Sequence, residues 1–336
     1  MRRVYWWLLG AFVALTVLMV PNTVQAANGA SFTVEPTLTA QQVGGNTGYF
    51  NMKLAPNQQN TLKVTITNLT AKPKTVRVVP TNAGTSAGGQ LSYDPGMPRD
   101  DSAAYRFTAL LVNRQAQTVK LAPNAAKQVT YTVKMPAKPV TGQILGGLHV
   151  QDTADYAQPG TGVAIVNRFA MVVAVQLQST ATMVAPDLKL LTVKPGVQSN
   201  RAAILAKLQN PQPRLFNHLK IVAKVTPRGQ ADPVVKRTSN NLSMAPNSHF
   251  TYGIYSDQAL TAGKYTLILK ATAHQWHWQF KRHFTITAQQ AATTNRKAHL
   301  KVERHIPWTL IIIGALVVVI LVLLVLLLKR RRSPQD

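Results

Sequence analysis

Apolar residues recur at every second position along most of this chain, and that periodicity constrains its fold more than any other feature. Leu62, Val64 and Ile66 alternate with Lys63, Thr65 and Thr67, and Val129, Tyr131 and Val133 alternate with Thr130, Thr132 and Lys134. Ile221, Ala223 and Val225 alternate with Val222 and Lys224, and Tyr265, Leu267 and Leu269 with Thr266, Ile268 and Lys270. Between 163 and 177 the odd positions are apolar except at Asn167. A period of two puts one face of a strand in a core and the other in water. Gly44-Gly45-Asn46, Asp94-Pro95-Gly96, Pro159-Gly160 and Pro211-Gln212-Pro213 punctuate these runs as turns. No stretch between 28 and 288 reads as a long amphipathic helix, and 102–114 has room for a short one only. The pattern predicts an all-β protein of two tandem immunoglobulin-like β-sandwich domains.

An internal repeat supports two domains. Leu54-Ala55-Pro56-Asn57, Leu121-Ala122-Pro123-Asn124 and Met244-Ala245-Pro246-Asn247 are near-identical. Six residues after each Pro comes an apolar residue of an alternating strand, Leu62, Val129 or Tyr252, so the motif reads as a structural turn entering a strand. The segment 152–162, rich in Asp, Pro and Gly, is the best boundary. The expected sandwiches are 30–152 and 163–288, and the strand after the boundary could close the first or open the second. Residues 289–305 read as a polar, basic stalk.

Function classes fall away on composition. The 336 residues contain no cysteine, which removes disulfide scaffolds, thiolate metal sites and cysteine nucleophiles. Only 11 Asp and Glu stand against 37 Lys and Arg, so paired-carboxylate hydrolases and acidic metal cages are poor fits. No GxSxG elbow or phosphate-binding Gly loop is present. The chain reads as non-enzymatic, without cofactor or metal. The cations, Lys63, Lys74 and Lys134 among them, spread along outward strand positions rather than in one tract. They suit electrostatic retention by anionic wall polymers, not nucleic acid.

The two ends place those domains. Arg2 and Arg3, the apolar 4–20, Pro21 and Val24-Gln25-Ala26 read as a signal peptide, 1–26. Residues 306–328 are uncharged and apolar, long enough as a helix to span a bilayer. Trp308 suits the interfacial belt, and Lys329, Arg330, Arg331 and Arg332 read as a cytoplasmic stop-transfer cluster opening an eight-residue tail, 329–336. This layout without cysteine predicts a single-pass membrane protein of a Gram-positive bacterium, its ectodomain in the cell wall.

A family resemblance then becomes specific. Phe32-Thr33-Val34-Glu35-Pro36, Tyr49-Phe50-Asn51-Met52, the first Leu-Ala-Pro-Asn, Val64-Thr65-Ile66-Thr67-Asn68, Met135-Pro136 and Ile144-Leu145-Gly146-Gly147-Leu148 resemble the amino-terminal, peptidoglycan-binding domain of the WxL-interacting protein family. Asn167-Arg168-Phe169, Leu208-Gln209-Asn210-Pro211, Met244-Ala245-Pro246-Asn247-Ser248, Ala262-Gly263-Lys264-Tyr265 and Trp276-His277-Trp278 with Phe280 resemble its second, host-binding domain. The resemblance implies a surface adaptor whose partners are a WxL-domain protein, peptidoglycan and the wall, and host extracellular matrix. It brings no catalytic residues.

Some residues admit sharper readings. Trp276, Trp278 and Phe280 share one strand face: either a core stripe, or a platform that stacks a partner or sugar, which would make the chain a surface glycan-binding module. His274, His277 and His283 lack a carboxylate and the geometry of a metal site. Asp94, Asp100 and Asp101 read as a solvated loop, and Asn68-Leu69-Thr70 and Asn241-Leu242-Ser243 as turn chemistry.

Overall fold

The computed structural model of this chain describes residues 31–153, 169–301 and 308–330. The expected signal peptide, most of the boundary segment, Asn167, Arg168, the end of the expected stalk and Arg331 and Arg332 lie outside the described residues.

Two β-sandwiches follow one another. In the first, β1 (Phe32–Thr37), β3 (Gln59–Asn68) and β8 (Ala126–Lys134) form one sheet in the order β1-β3-β8. The facing sheet contains β2 (Phe50–Lys53), β10 (Ala170–Gln178), β9 (Ile144–Asp152), β4 (Lys74–Asn82) and β7 (Gln117–Leu121), in the order β2-β10-β9-β4-β7. Leu62, Val64 and Ile66 from one sheet meet Val76, Leu148 and Val175 from the other in a single buried core. The second sandwich packs β11 (Lys189–Gln198), β12 (Arg201–Asn210) and β15 (Ser248–Tyr255) against β14 (Val235–Met244), β13 (Phe216–Pro227), β16 (Gly263–Ala273) and β17 (Trp276–Ile286). Its core joins Ile204, Leu208 and Tyr252 to Ile221, Leu267 and Leu269.

The boundary at 163 moves. β10 pairs antiparallel with β9 and parallel with β2, so it closes the first sandwich. Its alternating face, Val173, Val175 and Leu177, fills the first core, and sequence periodicity carries no information about which sheet an apolar face joins.

The stalk also needs correction at its start. Residues Ala288–Lys297 form a helix, α2, with a capping box between Thr287 and Gln290. Ala291 packs into the second core. Asn295 is buried, accepts from the Leu260 N–H at 2.8 Å and donates to the Leu260 carbonyl at 2.9 Å. The helix belongs to the second domain.

Between β4 and β7 the first domain makes an excursion, residues 83–116. It carries two short strands, β5 (Gly84–Thr85) and β6 (Leu91–Ser92), and one helical turn, α1 (Phe107–Leu110). It accounts for the Leu-Gly-Gly-Leu sequence of β9. A side chain at Gly146 would strike the Phe107 ring at about 2.2 Å, and one at Gly147 would meet Tyr93 at 3.1 Å. Phe107 enters the core against one face of the strand while Tyr93 covers the other. β9 is therefore buried on both faces, including the outward Leu145 and His149.

A final helix, α3 (Trp308–Arg330), holds Lys329 and Arg330 in its last turn. Among the described residues no helix is long and apolar enough to cross a membrane. The α3 backbone runs 23 residues, and its described side chains, 312–326, are exposed all round.

Candidate functional site

The three Leu/Met-Ala-Pro-Asn copies explain the local geometry from which the domain junction grows. Pro presets the second turn position, and Asn supplies positive φ at the third: 61° at Asn57, 51° at Asn124 and 46° at Asn247. The strands they launch bury Leu62, Val129 and Tyr252, the residues six positions after each Pro. Two copies are also held by a fully buried asparagine. Asn68 donates to the Ala122 carbonyl at 3.0 Å and the Lys72 carbonyl at 2.8 Å, while accepting from the Thr70 N–H. Asn210 repeats the arrangement, donating to Ala245 at 2.9 Å and Arg214 at 2.7 Å and accepting from the Gln212 N–H. Asn68-Leu69-Thr70 is turn chemistry as expected. Asn241 instead lies within β14, at positive φ.

The third copy does more than turn the chain, since it receives the excursion of the first domain. Asn247 donates to the Ser102 carbonyl at 3.0 Å and to Pro211 at 2.8 Å. Thr85 Oγ1 lies 2.6 Å from Ser248 Oγ and accepts from the Ala245 N–H. Backbone bonds run from Ser243 N–H to the Gly89 carbonyl and from Gln143 N–H to the Pro213 carbonyl, each 2.7 Å.

Asp100 sits at the centre of this junction, and the solvated-loop expectation fails there. Its side chain is 2% exposed. Oδ1 accepts from Ser102 N–H, Ser102 Oγ and Gln209 Nε2, and Oδ2 lies 2.6 Å from His249 Nδ1. Burial pushes the carboxyl pKa up, but the bonds from Ser102, His249 and Gln209 outweigh it and hold it below 3.8. Asp94 and Asp101 remain exposed. Both Ser102 and His249 bond the carboxylate rather than each other, so the serine has no imidazole to take its proton. The cluster fastens two domains. Beside it, a shallow cavity of about 250 Å³ lies between Tyr105, Val140 and Ile144 of the first domain and Pro211 and Pro213 of the second.

The aromatic strand is mainly core. β17 is an edge strand. Trp278 stacks on Phe216 at 5.7 Å and Phe284 on Tyr265 at 5.8 Å, while Trp276 is half-buried. His277 and Gln279 occupy the opposite, exposed face. The three histidines are apart: His274 is in the β16–β17 turn beside His218 and Asn217, His277 bonds its own turn, and His283 bonds Thr266. Lys63 and Lys134 are exposed on one sheet face of the first domain. Lys74 departs from the outward reading: it shares the inward parity of Val76 and Val78, and its mostly buried ammonium pairs with Asp152.

Residues 32–152 match a family described as the WxL Interacting Protein peptidoglycan binding domain, and residues 160–296 one described as the WxL Interacting Protein host binding domain. No curated protein matches the sequence. Solved structures similar to this chain include the Salmonella enterica SafA pilin with its SafB chaperone, at 12% identity and TM-score 0.28, covering 77% of this chain and 98% of that one. The Escherichia coli chaperone DraB is similar at 16% identity and TM-score 0.27, covering 75% and 98%. Likeness at this level carries no functional information.

Proposed function

The chain belongs to the WxL-interacting protein family, and from that premise we propose that it is a non-catalytic, membrane-anchored adaptor on a Gram-positive cell surface. The first domain grips peptidoglycan, the second reaches toward host matrix, and the pair holds a WxL-domain protein between wall and membrane. The observation that carries this reading is the junction. Two domains described as binding different things are joined through Asp100, Asn247 and Thr85, so that a load on one passes to the other without a flexible linker. An adaptor needs that stiffness; two independent binding modules do not.

An amino-terminal signal peptide delivers the chain, and α3 anchors it. The anchor is supported by the amino-acid sequence, in which 306–328 is apolar and uncharged, and by the exposure on every side of the apolar side chains at 312–326, which water does not tolerate. A glycan-stacking role for the aromatic strand is the weaker reading, since Trp278 is stacked on Phe216 and both Trp278 and Phe280 pack against the second core.

The test uses the full chain in nanodiscs of zwitterionic lipid. It is expected to sediment with peptidoglycan stripped of anionic polymers and to capture a purified WxL-domain protein. Retention of neither ligand would refute the adaptor reading.

A further inference from the structure

The four-stranded sheet of the second sandwich turns one face to the core, and among the described residues its other face is largely exposed. Outward positions follow from their buried neighbours. Lys220 and Lys224 alternate with Leu219, Ile221, Ala223 and Val225 on β13, and Lys264 and Lys270 with Tyr265, Leu267, Leu269 and Ala271 on β16. Lys236 follows the buried Val235 on β14, and Lys281 lies opposite Ile268 on β17. The strand registers align them. Lys236 faces Lys224, Lys224 faces Ile268 and Ile268 faces Lys281, a row crossing all four strands, with Lys270 one row away opposite Val222. All six lysines are exposed, and none makes an ion pair among the described residues. The four strands contain no Asp or Glu.

Folding does not account for this face. Like charges directly opposite one another weaken a sheet, as Lys236 and Lys224 must. Lysines on edge strands discourage aggregation, which covers Lys236 and Lys281 but not the four on the central strands β13 and β16. We propose that this face is a docking surface for a linear phosphodiester polymer, a polyol-phosphate chain of the cell wall. Lysine is a mobile point charge suited to phosphate. Thr238, Thr226 and Thr272 set hydroxyls among the ammonium groups. The outward positions hold no Phe, Tyr or Trp, so nucleic-acid bases find no broad ring to stack on. Neighbouring strands lie about 4.8 Å apart and successive outward residues about 6.5–7 Å apart. A flexible polymer with one charge per short repeat that crosses the strands along this row therefore meets a lysine on three of the four strands. The polymer's identity rests on the cell-surface reading above; the cationic face does not.

The full chain in zwitterionic nanodiscs is titrated with poly(glycerol phosphate) at several salt concentrations. The Lys224→Gln/Lys270→Gln/Lys281→Gln variant is expected to bind at least tenfold more weakly, with the log–log salt slope reduced by about 2. A Lys53→Gln/Lys120→Gln/Lys138→Gln variant at exposed positions of the first domain should stay within twofold of the parent. Thermal melting of both variants verifies folding. The proposal is overturned if both triples lose binding equally, if the parent does not bind, or if anionic lipid vesicles displace the polymer at equal charge. Sedimentation with stripped peptidoglycan and capture of the WxL-domain protein are read in parallel. Losing these while polymer binding persists defeats the adaptor reading alone, and the converse defeats the docking face alone.

Discussion

The two sandwiches share one turn and one asparagine clamp, yet the outer faces of their larger sheets have opposite fates. In the first domain the 83–116 excursion lays Tyr93 over Gly147 and buries the outward Leu145 and His149. In the second the corresponding face stays open and collects lysine. Charge follows the same division: residues 31–178 hold 13 Lys and Arg against 6 Asp and Glu, and residues 179–301 hold 17 against 3. A covered face supports rigid coupling, because the covering segment goes on to grip the neighbouring domain. A bare face supports binding. The same scaffold thus divides structural and recognition duties by what it does with one sheet surface.

The largest expected effect probes the cover. Phe107→Ala should destabilise the first domain by about 3–5 kcal/mol, since it empties the space that Gly146 leaves for the ring. Calorimetry should show the first transition falling while that of the second domain moves little. An equal fall in both would mean that the two fold as one unit and that the contrast is misdrawn.

Next come the clamps, where the domains should behave alike. Asn68→Ala and Asn210→Ala each remove two hydrogen bonds donated by a fully buried amide, and should cost about 1–3 kcal/mol in their own domain. Denaturant titration of each variant checks the symmetry; a cost in only one domain would break the equivalence of the turns.

Acid should separate the domains again. Burial depresses the His149 pKa below 6.5, against a smaller opposing pull from Asp94. The folded state keeps that imidazole neutral while the unfolded chain takes up the proton. Its contribution is full above pH 6.5 and shrinks as pH falls below it. Asp100 adds a second loss in the more acidic window below 3.8, where the unfolded carboxyl is protonated before the folded one. Melting temperature of the first domain should therefore decline as pH falls below 6.5, and His149→Leu should flatten that decline.

The smallest effect has the opposite sign. Lys236→Glu places a carboxylate opposite Lys224 and should stabilise the second domain by about 0.2–1 kcal/mol, measurable as a slightly higher melting temperature. A gain in stability joined to a loss of polymer binding would mark the lysine row as kept for recognition.

Local pattern made much of this protein legible. Alternation announced the strands that bury Leu62, Val129 and Ile221, and the Pro-Asn repeat announced the turns. The junction was not legible. Asp100 lies 149 residues from His249, and an aspartate between Arg99 and Asp101 looks solvated until a distant histidine and glutamine close on it. Lys74 misled for a related reason, since its partner Asp152 becomes adjacent only through the pairing of β4 with β9. The one available signal was the recurrence of Asn before a turn, at Asn68 and again at Asn210.

Sequence alone determined that the two described domains are built of strands and which residues of an alternating strand share a face, because side-chain direction in an extended chain depends only on parity. Tertiary structure decided that β10 joins the first sheet, that one Met-Ala-Pro-Asn turn becomes an interdomain socket, and that scattered lysines form a row. Parity assigns a residue to a face but not to a neighbour. Neighbours are set by strand order and register, which depend on the packing of the whole fold.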